Sequence, residues 1–192
     1  MLLKVQALLG KVYLYEQKWT LYRNLLILIK RPGVKILVQS SLNPEQIEAA
    51  FRLWNNEYPE KLRYDKIEDF NEYLNKLDAK THFLLIDEQE IIVGWSATFL
   101  RDNERWFAII LNSDIHGKNY GTSMLNEIKR HENKLAGWVI DKEGALRADG
   151  SKYKSPLQFY IKNGFNVLAR DRIESERISA VKILWQPAGV EY

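Results

Sequence analysis

The 192-residue sequence contains no cysteine. That absence excludes disulfides, thiolate nucleophiles and cysteine-based zinc sites. Histidine is scarce: His82, His116 and His131 stand far apart, without metal-ligand spacing. Long apolar runs are missing too. Leu25–Ile29 is five residues long, against the roughly 20 a bilayer-spanning helix needs. The N-terminus lacks the order of charge, apolar core and small-residue cleavage site that marks a signal peptide. A soluble, cytoplasmic protein with no integral membrane segment is expected. Net charge is small as well, +3 from 28 Lys plus Arg against 25 Asp plus Glu.

The small excess is unevenly placed. Residues 1–35 hold seven basic groups and one acid, Glu16, for a charge of +6. The remaining residues hold 21 basic and 24 acidic groups, for −3. A nucleic-acid-binding domain carries its positive charge in its body, so no nucleic-acid partner is expected. The body is ordinary for a globular domain, 46% hydrophobic and 28% charged.

Two domains are expected: a basic, aromatic-rich arm, 1–33, and a body, 34–192. In the arm, Val5, Leu8, Val12, Tyr15, Trp19, Tyr22, Leu26 and Ile29 recur every three or four positions, as on one helix face. Alternation around Val12–Tyr15 fits a strand instead, and helix is the preferred reading. Its aromatic face would pack on the body or on a second subunit, giving a homodimer through the arm. Adsorption to an anionic membrane surface is the other use of such a helix. Arg31-Pro32-Gly33 breaks the chain there.

In the body, 34–40 reads as a strand. Asn43, Pro44 and Gln46 read as an N-cap, a first-turn proline and a capping box, and Asp65 as the cap of a second helix. Residues 82–87, 90–100 and 105–112 are strand-like with short connectors, which implies antiparallel hairpins. A helix opens near Gly117–Gly121 and runs to about 134, and a strand at 136–141 follows it, which makes that pair parallel. Residues 142–154 form a polar loop. Ser155-Pro156-Leu157-Gln158 reads as a second capping box, Gly164 stops the helix it opens, and 165–170 and 178–185 are the last strands.

The chemistry lies in Ile109–Thr122, where a strand enters a glycine-containing turn that opens a helix. The first N–H groups of a helix are unpaired, and the dipole adds about half a positive charge there. Together they suit a phosphate or pyrophosphate. Gly117 and Gly121 permit close approach, and Asn119 tolerates positive φ. There is no Walker loop, and the third glycine of a Rossmann fingerprint is missing.

The element order and this turn resemble the GNAT superfamily of N-acetyltransferases, over about residues 34–186. The family's fourth strand ends in a [Gln/Arg]-x-x-Gly-x-[Gly/Ala] turn. Here the turn reads His116-Gly117-Lys118-Asn119-Tyr120-Gly121, with histidine in place of Gln or Arg and asparagine in place of the first motif glycine. Leu157–Phe165 resembles the family's Tyr-x-x-x-Gly-Phe helix end, with Tyr160 at the tyrosine that often acts as general acid. Tyr153 stands where the family often has asparagine.

The resemblance implies an α/β fold: a mixed, mostly antiparallel sheet of about seven strands flanked by about four helices, after the helical arm. It implies acetyl-CoA as acyl donor, held by Ile109, Leu111, His116, Gly117, Lys118, Asn119, Tyr120, Gly121 and Thr122. It implies a primary amine acceptor, small molecule or protein, that attacks directly in a ternary complex. A lysine-like amine of pKa about 10.4 must lose its proton, which costs about 4.6 kcal/mol at pH 7. A backbone N–H near Leu111 would stabilise the oxyanion, and Tyr160 would protonate the thiolate. Asp141, at a strand end, is the candidate base. Glu57, Trp95 and Trp106 are the candidate acceptor-pocket residues. A catalytically silent CoA-binding or interaction domain of the same fold is the alternative.

Overall fold

Helix α1 (Pro44–Glu57) starts where the sequence expects it. Asn43 accepts from the Gln46 N–H, and the Gln46 side chain accepts from the Asn43 N–H, closing the capping box. Such a cap contributes about 1 kcal/mol. The computed structural model describes residues 33–187. The expected arm helix and the homodimer through it lie outside these residues.

The strands are β1 (Lys35–Gln39), β2 (Asp78–Ile86), β3 (Ile92–Arg101), β4 (Glu104–Leu111), β5 (Leu135–Ile140), β6 (Asn166–Glu174) and β7 (Ser179–Trp185). The other helices are α2 (Ile67–Asn75), α3 (Tyr120–His131) and α4 (Leu157–Lys162). One seven-stranded sheet runs β1-β2-β3-β4-β5-β7-β6. Its neighbours are antiparallel except β4 and β5, which are joined through α3 and run parallel. This is the mixed, mostly antiparallel sheet the sequence suggested.

Strand alternation sorts the core into two layers. Leu84, Trp95, Ala97 and Trp106 face Ala50, Leu53, Phe70 and Leu74 of α1 and α2. Phe83, Leu85, Phe107 and Val139 face Met124, Leu125 and Ile128 of α3 and Tyr160 of α4. The end of α1 is pinned by Asn55, whose Nδ2 donates to the Tyr64 carbonyl at 2.9 Å while its Oδ1 accepts from the Tyr64 N–H at 3.0 Å. No helix among the described residues is long and apolar enough to cross a membrane.

Several local expectations are corrected. Lys66, not Asp65, occupies the cap of α2, and no side chain caps it. Strand β2 starts at Asp78 rather than 82, across a register shift where Ala79 has φ 43°. Strand β6 continues to Glu174 past a bulge between Leu168 and Arg172. The second capping box does not form: Pro156 occupies the cap without a side-chain capping bond, and Ser155 Oγ accepts only from the Leu157 N–H, at 3.2 Å. The segment read as a polar loop contains a small hairpin. Leu146 bridges Lys152, the Arg147 N–H donates to the Ser151 carbonyl at 2.9 Å, and the Tyr153 N–H donates to the Ala145 carbonyl at 2.9 Å. Gly150, at φ 79°, turns its tip.

Candidate active site

Strands β4 and β5 pair at one position, Trp106 with Ala136, and have no register beyond it. The consequence for β4 follows from its other edge. The Asn112 N–H donates to the Val93 carbonyl at 2.9 Å, and the β3–β4 register is continuous from Gly94–Leu111 down to Arg101–Glu104. In an antiparallel ladder, residues alternate between bonding toward one neighbour and toward the other. Ile110 and Ala108 therefore bond to β3, and the N–H groups of Ile109 and Leu111 point into the gap beside β5.

The chain then turns. Asn112 Oδ1 accepts from the Asp114 N–H at 2.9 Å, starting a single 3-10 turn at Ser113–Ile115. Gly117 (φ 75°) and Asn119 (φ 66°) are both left-handed, and α3 opens at Tyr120. The Asn119 side chain makes no capping bond, so the first-turn N–H groups of α3 lack that partner. His116 Nε2 donates to the Leu111 carbonyl at 3.1 Å, tying the turn to the end of β4. Gly121 serves packing: a Cβ there would meet Phe159 of α4 at 3.0 Å.

These pieces line one cleft of about 390 Å³. Ile109, Leu111, His116, Gly117, Asn119, Tyr120, Gly121 and Thr122 are in its wall, and Lys118 is not. Tyr160 also faces the cleft, with its ring among Phe107, Phe159 and Phe165. Burial, reinforced by the neighbouring Tyr153, raises the Tyr160 phenol far above its usual pKa, so it stays protonated. Burial pushes Tyr153 up to about 12, against an opposing pull from Arg147.

Glu57 enters the cleft from the end of α1. Its Oε1 accepts from the Ser113 N–H at 2.8 Å, and its Oε2 lies 3.4 Å from Arg147 Nη2. It is the one carboxylate among the described residues in the lining. Arg147, Tyr58 and Phe159 also line the cleft and were missed from the sequence. Tyr58-Pro59 marked a loop start, and nothing local singled out Arg147.

Three expectations are corrected. Asp141 is not in the cleft wall. Its carboxylate is gripped by Arg172 through Nη1 at 2.8 Å and Nη2 at 2.9 Å, and that hydrogen-bonded pairing holds its pKa below the usual carboxylate range. Trp95 is fully buried under α1 and α2, its Nε1 donating to His82 Nδ1 at 3.3 Å. Trp106 is buried against Trp138, with Lys182 over its ring. Both tryptophans belong to the core rather than to the cleft.

No protein-family model matches the sequence, and no curated protein matches it. Solved structures do. An aminoglycoside 6'-N-acetyltransferase complexed with coenzyme A superposes with TM-score 0.58 at 13% identity, over 79% of this chain and 96% of that one. A spermidine N-acetyltransferase from Vibrio cholerae, in complex with CoA and spermine, gives 0.56 at 14%, over 79% and 95%. A GNAT-family acetyltransferase from Staphylococcus aureus gives 0.57 at 13%, over 80% and 99%. The chain has the GNAT fold.

Proposed function

We propose that the protein is an acetyl-CoA-dependent N-acetyltransferase that moves an acetyl group to a primary amine by direct attack in a ternary complex. The observation that carries this reading is the cleft at the end of β4, on the side where β4 has parted from β5, where unpaired N–H groups, a protonated phenol and one carboxylate converge. The residues present fit the coenzyme. The first turn of α3 offers N–H donors to a pyrophosphate, and a Cβ at Gly117 would meet nothing within 4 Å, which leaves the turn open to a ligand. Acetyl-CoA, when bound, supplies an activated thioester.

The chain's own residues divide the remaining work. Glu57 Oε2 has no hydrogen-bond partner, and it holds the acceptor's ammonium and takes the proton that the amine must lose. The N–H groups of Ile109 and Leu111 donate to negative charge developing on the acyl oxygen. As the nitrogen–carbon bond forms and the carbon–sulfur bond breaks, Tyr160 gives its proton to the departing sulfur. The phenol's raised pKa keeps that proton available across the neutral range.

The test is a thiol-release assay with acetyl-CoA and a panel of primary amines. Wild type is expected to turn over at least one amine. Tyr160→Phe is expected to lose about a hundredfold in kcat while still binding CoA in a calorimeter. CoA binding without turnover across the panel would leave a silent CoA-binding domain as the correct description. No CoA binding would remove both readings.

A further inference from the structure

The cleft contains an ion pair that is incompletely satisfied. The Glu57 side chain is 10% exposed and that of Arg147 is 16% exposed. Their closest approach, Nη2 to Oε2, is 3.4 Å and makes no hydrogen bond. Glu57 Oε2 and Arg147 Nε are both buried without a partner. Breaking or underfilling a buried ion pair is costly, because each charge has lost water without recovering its full set of bonds. Nε and Nη2 form one edge of the guanidinium, the planar fork that suits a carboxylate.

Arg147 is not held in place by Glu57 alone. It sits on the hairpin after β5, which docks onto the exit of α1 through the Pro59–Arg147 bridge. The Glu60 N–H donates to the Leu146 carbonyl at 2.8 Å beside it. Glu57 is fixed in turn by the Ser113 N–H, two residues beyond Leu111. Backbone contacts thus hold two opposite charges side by side at the mouth of the gap, and each charge keeps an unused bonding atom.

We infer that the Glu57–Arg147 pair recognises an acceptor that carries a carboxylate next to its amine, an amino-acid-like zwitterion. The inference rests on the acetyl-transfer reading and narrows its acceptor class. The ligand's carboxylate accepts from Nε and Nη2 of Arg147, and its ammonium donates to Glu57 Oε2. One loose pair is thereby exchanged for two complete ones. The 3.4 Å separation of the pair matches adjacent charges, as in α- or β-amino acids, and not charges at the two ends of a long chain. The product is an N-acetylated amino acid that keeps its carboxylate.

Calorimetry on the full chain in the presence of CoA tests this with matched ligands: L-alanine against ethylamine, L-leucine against 3-methylbutylamine, and L-phenylalanine against 2-phenylethylamine. At least one amino acid is expected to bind tenfold or more tightly than its decarboxylated partner, and 6-aminohexanoate no better than the plain amines. Arg147→Gln is expected to shrink the preferred ratio to within threefold. If no amino acid outbinds its amine in wild type, including the case in which neither ligand binds, the inference is overturned. Thiol release on the same panel separates the two readings. Preferential binding without thiol release would leave the zwitterion site and remove acetyl transfer. Turnover without a carboxylate preference would do the reverse.

Discussion

The cleft wall at the start of α3 comes from one continuous stretch of chain, between Ile109 and Thr122, and in the proposed reaction it acts mainly through backbone N–H groups. The wall at the end of α1 gathers Glu57 and Tyr58 from that helix and Arg147 and Tyr153 from the hairpin after β5. In the proposed reaction it acts through side chains. A backbone site tolerates any substitution that preserves its dihedrals. A side-chain site depends on individual atoms brought together by distant segments. The two walls should therefore respond differently to mutation, to pH and to ligand.

The largest expected difference lies beneath the walls. The layer under α1 and α2 contains the buried His82–Trp95 contact. Burial, aided by Lys80, lowers His82 to about 4 from an ordinary 6.5. The folded state thus resists protonation where the unfolded chain accepts it. The stability is fully present above pH 6.5 and is lost as pH falls through that value to about 4. The full loss is roughly 3 kcal/mol. Urea unfolding of wild type and His82→Leu at pH 7 and pH 4 measures it, with the variant losing less. Parallel losses in the two proteins would move the acid sensitivity away from this layer.

A smaller effect separates the two tasks of Glu57. Glu57→Gln keeps an oxygen for the Ser113 N–H and removes the charge. It should lower kcat/KM for the amine about thirtyfold, within the range of a lost general base or ammonium contact, with little change in CoA affinity. Glu57→Ala also releases Ser113, so it should weaken CoA binding as well as turnover. Steady-state thiol release and CoA titration read the two quantities separately. Equal CoA affinities for the two variants would show that the walls are not coupled through Ser113.

The legibility of the sequence follows the same division. The β4–α3 segment could be read because its geometry is local: Gly117 and Asn119 both adopt the left-handed conformation their side chains allow. The antiparallel hairpins and the one parallel step were also local, since connector length sets them. Tyr160 was singled out by the family resemblance of Leu157–Phe165; it lines the cleft, and Gly164 does stop α4 at φ 81°. Arg147 was not legible, because a nonlocal bridge to Pro59 puts it in the cleft. Asp141 misled because its partner, Arg172, arrives past a bulge in a distant strand. Trp95 and Trp106 misled for another reason. Alternation assigns them to a face, but it does not say which part of that face is open.

The smallest expected effect tests the backbone wall itself. Asn119 holds φ 66° without using its side chain as a cap, so the side chain matters only through the conformation it permits. Asn119→Gly keeps that conformation at no steric cost and should leave CoA affinity within twofold. Asn119→Val places a β-branched residue where such residues are outliers. The strain is of order 1–3 kcal/mol, and the turn can relieve it by rotating N–H groups away from the cleft. CoA should then bind about tenfold more weakly, or about 1.4 kcal/mol, while the carboxylate preference of the acceptor wall is unchanged. If valine binds CoA as well as glycine does, the Asn119 dihedral is not what presents the donors. If instead the acceptor preference shifts with it, the two walls form one site rather than two.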